Sequence, residues 1–462
     1  MLKTKLQIDP SIFRTYDIRG IVGKTLTEPL VHELGRAIGS LAVEKGEKRI
    51  AVARDGRLSG EVLKEALCAG ILETGCDVID VGMIPTPLLY YSTFVFETQS
   101  GVMLTGSHNP AEYNGLKCVM VGQALSEEAI QDLYHRIQEQ RYVTGAGERY
   151  ELEMIERYVD HVGRNVQLKR PLKIVVDAGN GVAGVVAPKL YKALGCEVQE
   201  LFCDIDGTFP NHHPDPSDPK NLQDLIKAVK KSGADLGMAF DGDGDRLGVV
   251  TSWGEIISPD RLMMLFSKAV LEEFPGAKII YDVKCSNHLG EAIKSWGGEP
   301  IMWKTGHSLI KAKLAETRAV LAGEMSGHIF FKDRWYGFDD ALYAGARLLE
   351  ILARYEGDCG DLFRALPESV ITPELKINLS DHEKHAMIDE LIKRAHFPDA
   401  EISTLDGLRV NFSNGWGLIR SSNTTPCLIL RFEAESEAVL KTIQNQFREL
   451  LLSVKPEWAL PF

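Results

Sequence analysis

The sequence predicts an α/β protein: three repeated mixed α/β domains with largely parallel sheets, plus a small carboxy-terminal α+β domain, arranged around a central cleft. Three observations carry that prediction. At 462 residues the chain is about three times a typical domain, which calls for two to four folding units. A short β-branched run that opens at a Lys and closes at an Asp recurs three times. The tail from about residue 368 lacks that run and alternates strands and helices differently.

The three openings are Lys48-Arg-Ile-Ala-Val-Ala-Arg-Asp55, Lys173-Ile-Val-Val-Asp177 and Lys278-Ile-Ile-Tyr-Asp282. Small or polar residues follow each (Ser59-Gly60, Gly179-Asn-Gly181, Ser286-Asn287), then a helical pattern, then a second strand after Gly75, Gly195 and Gly297. A third apolar strand next runs into a polar loop. Those loops are Thr105-Gly-Ser-His-Asn-Pro110, Asp241-Gly-Asp-Gly-Asp-Arg246 and Gly323-Glu-Met-Ser-Gly-His328. Strand–helix alternation favours parallel layers, whose ligands gather beyond the carboxyl ends of the strands. Three such copies packed edge to edge bring the three loops to one cleft. In the tail, Pro373-Glu-Leu-Lys-Ile-Asn-Leu, a helix near 381–395, a strand at 408–413, Cys427-Leu-Ile-Leu-Arg-Phe-Glu and a helix near 436–453 suggest a small α+β domain. Its loop Arg420-Ser-Ser-Asn-Thr-Thr-Pro426 is rich in donors suited to phosphate. The expected domains are 1–152, 153–255, 256–367 and 368–462.

Composition narrows the function. With 44% hydrophobic and 25% charged residues the chain is not disordered. No apolar run approaches a membrane span of about 18–20 residues, and the first residues lack the apolar core of a signal peptide. A net charge of −13 speaks against a nucleic-acid partner. The eight cysteines are scattered without a CxxC pair, which suits free thiols in a reducing cytosol rather than a disulfide scaffold or zinc ribbon. A cytoplasmic monomer with neither a nucleic-acid nor a membrane partner is expected.

The loops themselves suggest chemistry. Carboxylates at i, i+2 and i+4, as in Asp241, Asp243 and Asp245, converge on one hard cation when intervening glycines let the backbone turn tightly. Without a cation they repel. An EF-hand is a poor match, since Arg246 stands where it needs Gly and Ser252 where it needs Glu, so Mg²⁺ is expected. Ser107 lies in a strand exit outside any Gly-x-Ser-x-Gly elbow, which disfavours acyl transfer. Beside a metal and basic groups a serine suits phosphoryl transfer, where positioning and charge neutralisation dominate. The basic groups Arg14, Arg19, Lys117, Arg246, Lys284, His307, His328 and Arg420 fall in or just after loops, and gathered in one cleft they would focus an anion. Glu324 can accept hydrogen bonds from a sugar diol. Gly179-Asn-Gly-Val-Ala-Gly184 matches a dinucleotide fingerprint, but equivalent turns at 55 and 282 lack the glycines. It is therefore expected to serve a tight turn and close packing.

Taken together, the four loops resemble those of the α-D-phosphohexomutase family, most closely its bacterial phosphomannomutase/phosphoglucomutase branch, in order and over essentially the whole chain. The resemblance implies four domains around a cleft. It makes Ser107 the phosphoserine, with one of its oxygens completing a Mg²⁺ site at Asp241, Asp243 and Asp245. It assigns the sugar hydroxyls to Glu324 and Ser326, within the loop that also holds Met325, Gly327 and His328. Arg420, Ser421, Ser422, Asn423 and Thr424 become the clamp on the non-reacting phosphate. Tyr16 and Arg19, in Phe13-Arg-Thr-Tyr-Asp-Ile-Arg-Gly20, resemble the amino-terminal signature. Arg246, His108, Lys284, Thr305, Gly306 and His307 fall at further cleft positions, with Lys117 and His307 the candidates for proton transfer. The activity implied is reversible phosphoryl transfer between C1 and C6 of hexose phosphates, with a hexose 1,6-bisphosphate as intermediate and activator. Met325 favours the mannose/glucose branch. The alternatives are a phosphoglucosamine mutase, a metal-dependent sugar phosphatase, a noncatalytic sugar-phosphate binder and, from the glycine run alone, a dehydrogenase.

Overall fold

The computed structural model describes residues 8–96, 98–423 and 425–462. Each Lys-to-Asp run forms an inner strand of its own sheet: Arg49–Arg54, Lys173–Asp177 and Lys278–Asp282. A parallel strand flanks each on either side, Asp77–Met83 and Gly101–Leu104 in the first unit, Glu197–Leu201 and Leu236–Phe240 in the second, Glu299–Trp303 and Leu321–Gly323 in the third. The repeated architecture is therefore real, down to strand order.

A fourth strand extends the likeness beyond the sequence reading. Tyr113–Met120, Leu247–Thr251 and Ile329–Phe331 each pair antiparallel with the third strand of their unit. The three polar loops are thus hairpin turns rather than entries to crossover helices. Physically this is allowed because an antiparallel partner is reached by a short loop, whereas a parallel one needs a crossover of a dozen or more residues.

The closing aspartates do one shared job. Asp55 Oδ1 accepts from the Arg57 amide at 3.0 Å, Asp177 Oδ1 from Gly179 at 2.9 Å, and Asp282 Oδ1 from Lys284 at 2.9 Å. Each bond is an i→i+2 side-chain turn that ends the strand and redirects the chain. The glycine run 179–184 is a packing device, as expected. A Cβ on Gly184 would lie 2.0 Å from the Cys203 carbonyl oxygen, and the Val182 amide donates to Gly242 inside the aspartate loop at 3.2 Å.

The carboxy-terminal domain is an antiparallel sheet in the order Val370–Ile371, Cys427–Ala434, Gly415–Ser421, Leu408–Phe412, Glu401–Ser403, with Leu375–Asn378 also on Cys427–Ala434. Helices Asp381–Arg394 and Glu437–Val454 cover it. The first is closed by a capping box between Ser380 and Glu383. The second buries Ile443, Phe447, Leu450 and Leu451, one helical face.

One continuous apolar core runs through all three repeats, from Ala51 to Phe363. The fourth domain has a separate core. A small cluster of Val283 with Trp416 and Leu418, and the buried Arg409, join the two bodies. Arg409 stacks 3.9 Å from the Trp416 ring and reaches Asn287 Oδ1 at 2.6 Å and the carbonyls of Val283 and Cys285. Among the described residues no helix is long and apolar enough to cross a membrane. All eight cysteines are free.

Candidate active site

The serine loop is built on a buried ion pair. Asp55 accepts from Thr105 Oγ1 at 2.7 Å and from the Gly106 amide at 3.2 Å. The Arg57 guanidinium, fully enclosed, donates to the carbonyls of Ser107 (2.8 Å), Asn109 (2.6 Å), Pro110 (2.6 Å) and Tyr113 (2.9 Å). Arg19 adds donations to Gly106 O at 2.7 Å and Asn109 Oδ1 at 2.5 Å. These bonds hold Ser107 at a φ of 48°, in the left-handed region that a serine rarely adopts. Ser107 lies at the strand exit, as expected, but is only 3% exposed, because the aspartate loop closes over it. Its Oγ lies 3.1 Å from Asp241 Oδ2 and 3.2 Å from His108 Nδ1.

Asp241, Asp243 and Asp245 present carboxylate oxygens within 4.8 Å of one another, all fully buried. A solvated acidic turn is thereby excluded. Burial and the neighbouring Asp245 and Asp243 push the Asp241 carboxyl well above its usual range, the signature of a carboxylate cluster built for a cation. Asp243 Oδ1 is buried without a hydrogen-bond partner and Asp245 Oδ1 meets the His328 ring at 3.2 Å, so the residues fit a hard cation with oxygen ligands. Lys117 Nζ bridges Asp243 Oδ2 at 2.7 Å and Asp245 Oδ2 at 2.5 Å. Burial disfavours its ammonium, but the three aspartates outweigh that and hold it charged. Lys117 and Arg19 belong to strands, not loops. The antiparallel strand after the serine loop carries Lys117 back beside it, and Ile18–Ile21 pairs with that strand.

The third loop docks on the aspartate loop. His328 Nε2 lies 3.2 Å from Asp245 Oδ1 and 3.4 Å from Arg246 Nε, and the Leu247 amide donates to Gly327 O at 3.1 Å. Arg246 Nε also stands 3.9 Å from Asp241 Oδ2. Burial disfavours the His328 imidazolium, yet the Asp245 and Glu324 carboxylates raise its pKa to about 9. Glu324 accepts from the Gly306 amide at 2.6 Å and meets His328 Nδ1 at 3.1 Å, while Ser326 Oγ is 2.8 Å from the same nitrogen. Met325 packs against the apolar core, its amide on Asp282 Oδ2 at 3.2 Å. His307 is largely buried, its Nδ1 3.5 Å from Asp339 Oδ2, and burial with the Lys311 and Lys117 charges drives its pKa well below the ordinary value.

The carboxy-terminal loop reaches the same cleft. Arg420 Nε donates to Asp406 Oδ2 at 3.0 Å, and its Nη2 is buried without a partner. Asp406 also accepts from the Thr305 amide at 2.9 Å. Asn423 Nδ2 donates to the Tyr16 hydroxyl, which donates on to Thr305 O at 2.8 Å. Ser421 Oγ donates to Lys384 O at 3.2 Å, and the Lys384 ammonium to Ser422 O at 2.7 Å. Lys284 Nζ meets Glu374 Oε1 at 2.7 Å, and Lys284, ahead of burial, depresses the Glu374 carboxyl to about 2. Thr424 lies outside the described residues. The other predicted cleft residues belong to this one chain of contacts, and the Arg14 amide donates to Asp17 O at 2.9 Å in the amino-terminal turn.

Sequence reasoning missed the residues that hold these. Asp55 and Asp282 were visible as strand-closing repeats, but Arg57, Asp339, Lys311, Lys384, Asp406 and Glu374 stand in no repeated pattern. Thr86, at the start of helix Thr86–Val95, was missed likewise; its Oγ1 donates to Asp243 Oδ2 at 2.5 Å.

A buried serine and a triad of aspartates, ringed by cations from four domains, define a protein equipped to neutralise and move a phosphoryl group. The family models agree: Phosphoglucomutase/phosphomannomutase alpha/beta/alpha domain I matches residues 10–143, domain II 156–254, domain III 258–370, and the C-terminal domain 374–450. The chain belongs to the phosphoglucomutase/phosphomannomutase family. It is 55% identical over 452 residues to a phosphomannomutase/phosphoglucomutase of Pseudomonas putida, covering 98% of each chain. It is also 55% identical to a phosphoglucomutase of Neisseria meningitidis, covering 96% of this chain and 97% of that one. A crystal structure of a phosphoglucomutase/phosphomannomutase family protein from Burkholderia thailandensis superposes with a TM-score of 0.95 at 54% identity, covering 99% of this chain and all of that one.

Proposed function

We propose that this chain interconverts the 1- and 6-phosphates of mannose and glucose through a phosphoserine at Ser107 and a bound hexose 1,6-bisphosphate, in the cytoplasm and as a monomer. The observation that carries the reading is the buried Ser107 Oγ, 3.1 Å from Asp241 Oδ2 in a cleft lined by cations. Asp241, Asp243, Asp245 and an oxygen of phosphorylated Ser107 would hold magnesium, which would neutralise charge on the phosphoryl group. Lys117, on Asp243 and Asp245, and Arg246, near Asp241, add to that neutralisation. His307, kept neutral by burial, accepts the proton of the attacking sugar hydroxyl. Glu324 and Ser326 hold adjacent sugar hydroxyls, a grip that tolerates the intermediate turning end for end. Arg420, with a buried unpaired donor, clamps the phosphate that is not reacting, aided by Ser421, Ser422, Asn423 and Thr424. In this reading segment 1–152 carries the serine, 153–255 the metal, 256–367 the sugar contacts and 368–462 the phosphate clamp.

A mutase assay on a panel of hexose 1-phosphates, with Mg²⁺ and a trace of bisphosphate, tests the proposal. Conversion of glucose and mannose 1-phosphates to the 6-phosphates is expected. Release of inorganic phosphate without isomerisation, or turnover confined to glucosamine phosphate, overturns it.

A further inference from the structure

Two of the three strand-closing aspartates grip the reactive loop of their own unit directly. Asp55 Oδ2 accepts from Thr105 Oγ1 and the Gly106 amide, and Asp282 Oδ2 from the Met325 amide. The second unit departs from this pattern. Asp177 turns its carboxylate to His212, whose Nε2 stands 3.1 Å from Oδ1 and 3.0 Å from Oδ2. The other ring nitrogen, Nδ1, lies 2.9 Å from His213 O. Both nitrogens face acceptors, and only an imidazolium donates from both. Burial disfavours that charge, yet the Asp177 carboxylate outweighs burial and raises the pKa of His212.

His212 belongs to a strap, residues 202–218, that joins strand Glu197–Leu201 to the short helix Pro219–Leu222. Connections longer than about 12–15 residues without strand or helix are uncommon and concentrate where function is. Phe202 and Phe209 hold φ of 50° and 51°, a region bulky residues rarely adopt, so contacts impose the path. Asn211 Nδ2 donates to Asn180 Oδ1 at 2.7 Å. The strap touches both reactive loops. Toward the serine loop, the Arg57 guanidinium lies 5.2 Å from the Phe209 ring centre, and a Cβ on Gly207 would stand 2.7 Å from Gly56 O. Toward the aspartate loop, Pro214 O accepts from the Gly242 amide at 3.2 Å, while the Gly242 carbonyl accepts from Val182 at 3.2 Å. Gly242 lies between Asp241 and Asp243 and abuts Ser107 O so closely that a Cβ there would collide with it.

We propose that His212 is a positioning residue for phosphoryl transfer: latched on Asp177, it sets the strap so that Pro214 O seats Gly242 and thereby fixes Asp241 and Asp243 against Ser107. The strap does for the second unit what direct carboxylate contact does for the other two. The relay has an electrostatic reason. Asp177 is fully buried and pairs with Ala239, two positions before Asp241, so its charge would add to that of the triad unless a cation offset it. The inference rests on the metal and mutase reading above.

Mn²⁺ titration followed by EPR, on the full-length protein and on His212→Gln, tests this. Glutamine keeps a donor for Asp177 and loses the one for His213 O. Mn²⁺ should bind about 10-fold more weakly to the variant, the low end for loss of an outer partner of a metal site, and kcat in Mg²⁺ should fall by a similar factor. KM for glucose 1-phosphate should stay unchanged, because the sugar and phosphate contacts lie in the third and fourth units. Amide hydrogen exchange should quicken at 240–246 and 105–108 and match wild type elsewhere. Wild-type Mn²⁺ affinity in the variant, or a raised KM with unaltered exchange in both loops, overturns the proposal. If His212→Gln does not fold, Asn211→Ala, which loosens the same strap from Asn180, takes its place: weaker Mn²⁺ binding is expected, and wild-type affinity overturns the proposal. Neither the Mn²⁺ nor the exchange measurement needs turnover, so wild-type protein without mutase activity strikes the function reading while these two still decide the positioning.

Discussion

The three repeats and the carboxy-terminal domain are held together by opposite means. The repeats share one apolar core, beside smaller cores within each unit. The fourth domain keeps its own core and meets that body mainly through polar contacts: Arg409 on the carbonyls of 283 and 285, Lys284 with Glu374, Ser286 with Glu433, and Asn423 with Tyr16. Hydrogen bonds can be exchanged for water at little net cost, whereas a dry apolar seam cannot. Reactive groups therefore sit on the body with the shared apolar core, and the phosphate clamp sits on the domain joined to it mainly by polar contacts.

Five experiments probe that contrast, beginning with the largest effect. Ser107→Ala removes the nucleophile and should lower kcat by more than about 10³-fold with little change in Tm; retained turnover in protein lacking phosphate at that position would end the reading. Arg57→Met strips the serine loop of its buried guanidinium and leaves the Asp55 carboxylate unpaired. We expect about 3–5 kcal/mol less stability by chemical denaturation, and kcat down by about 10²-fold below the transition, with KM little changed.

In the carboxy-terminal domain, Arg420→Ala should weaken substrate and bisphosphate binding by roughly 10–150-fold. Bisphosphate should then leak into solution during turnover, seen by ³¹P NMR, with Ser107 phosphorylation intact. Normal retention in the mutant would mean the clamp lies elsewhere. Arg409→Lys loses the fork that joins the fourth domain to the third while keeping its charge, and should raise KM by less than about tenfold with Tm of the main body unchanged by calorimetry.

The smallest effect concerns pH. Glu374 is a carboxyl depressed in the folded state, so the stabilising pair with Lys284 is present above its ordinary range and fades only as pH falls through about 2. Lowering pH from 7 to 4 should therefore leave the domain spacing unchanged in small-angle scattering, and Glu374→Gln should expand it slightly at both values.

Much of this molecule could be read from its sequence because its signals are local. Each repeat opens with a Lys-to-Asp strand, and each reactive loop is a contiguous run whose spacing constrains its chemistry. The hidden parts were reached across the chain. Asp339 meets His307 from 32 positions away in sequence and Arg57 holds Ser107 from 50. Neither sits in a pattern that periodicity detects. The antiparallel fourth strand was equally silent, because a third apolar strand leaving through a polar loop looks the same whether a helix or a hairpin comes next. Its hidden direction is what carries Lys117 back to the aspartates.

The hooks at Asp55, Asp177 and Asp282 explain how one scaffold came to hold three unlike loops. Each first-strand ending is secured by its own side chain, and in the first and third units the second oxygen of the same carboxylate holds the reactive loop, through Thr105 Oγ1 and Gly106 at Asp55 and through the Met325 amide at Asp282. A serine turn and a sugar-facing turn thus share one anchor that asks of them only a backbone amide at the right place. New chemistry in such a chain is expected to arise by rewriting a handful of residues at the tips while the hooks stay fixed.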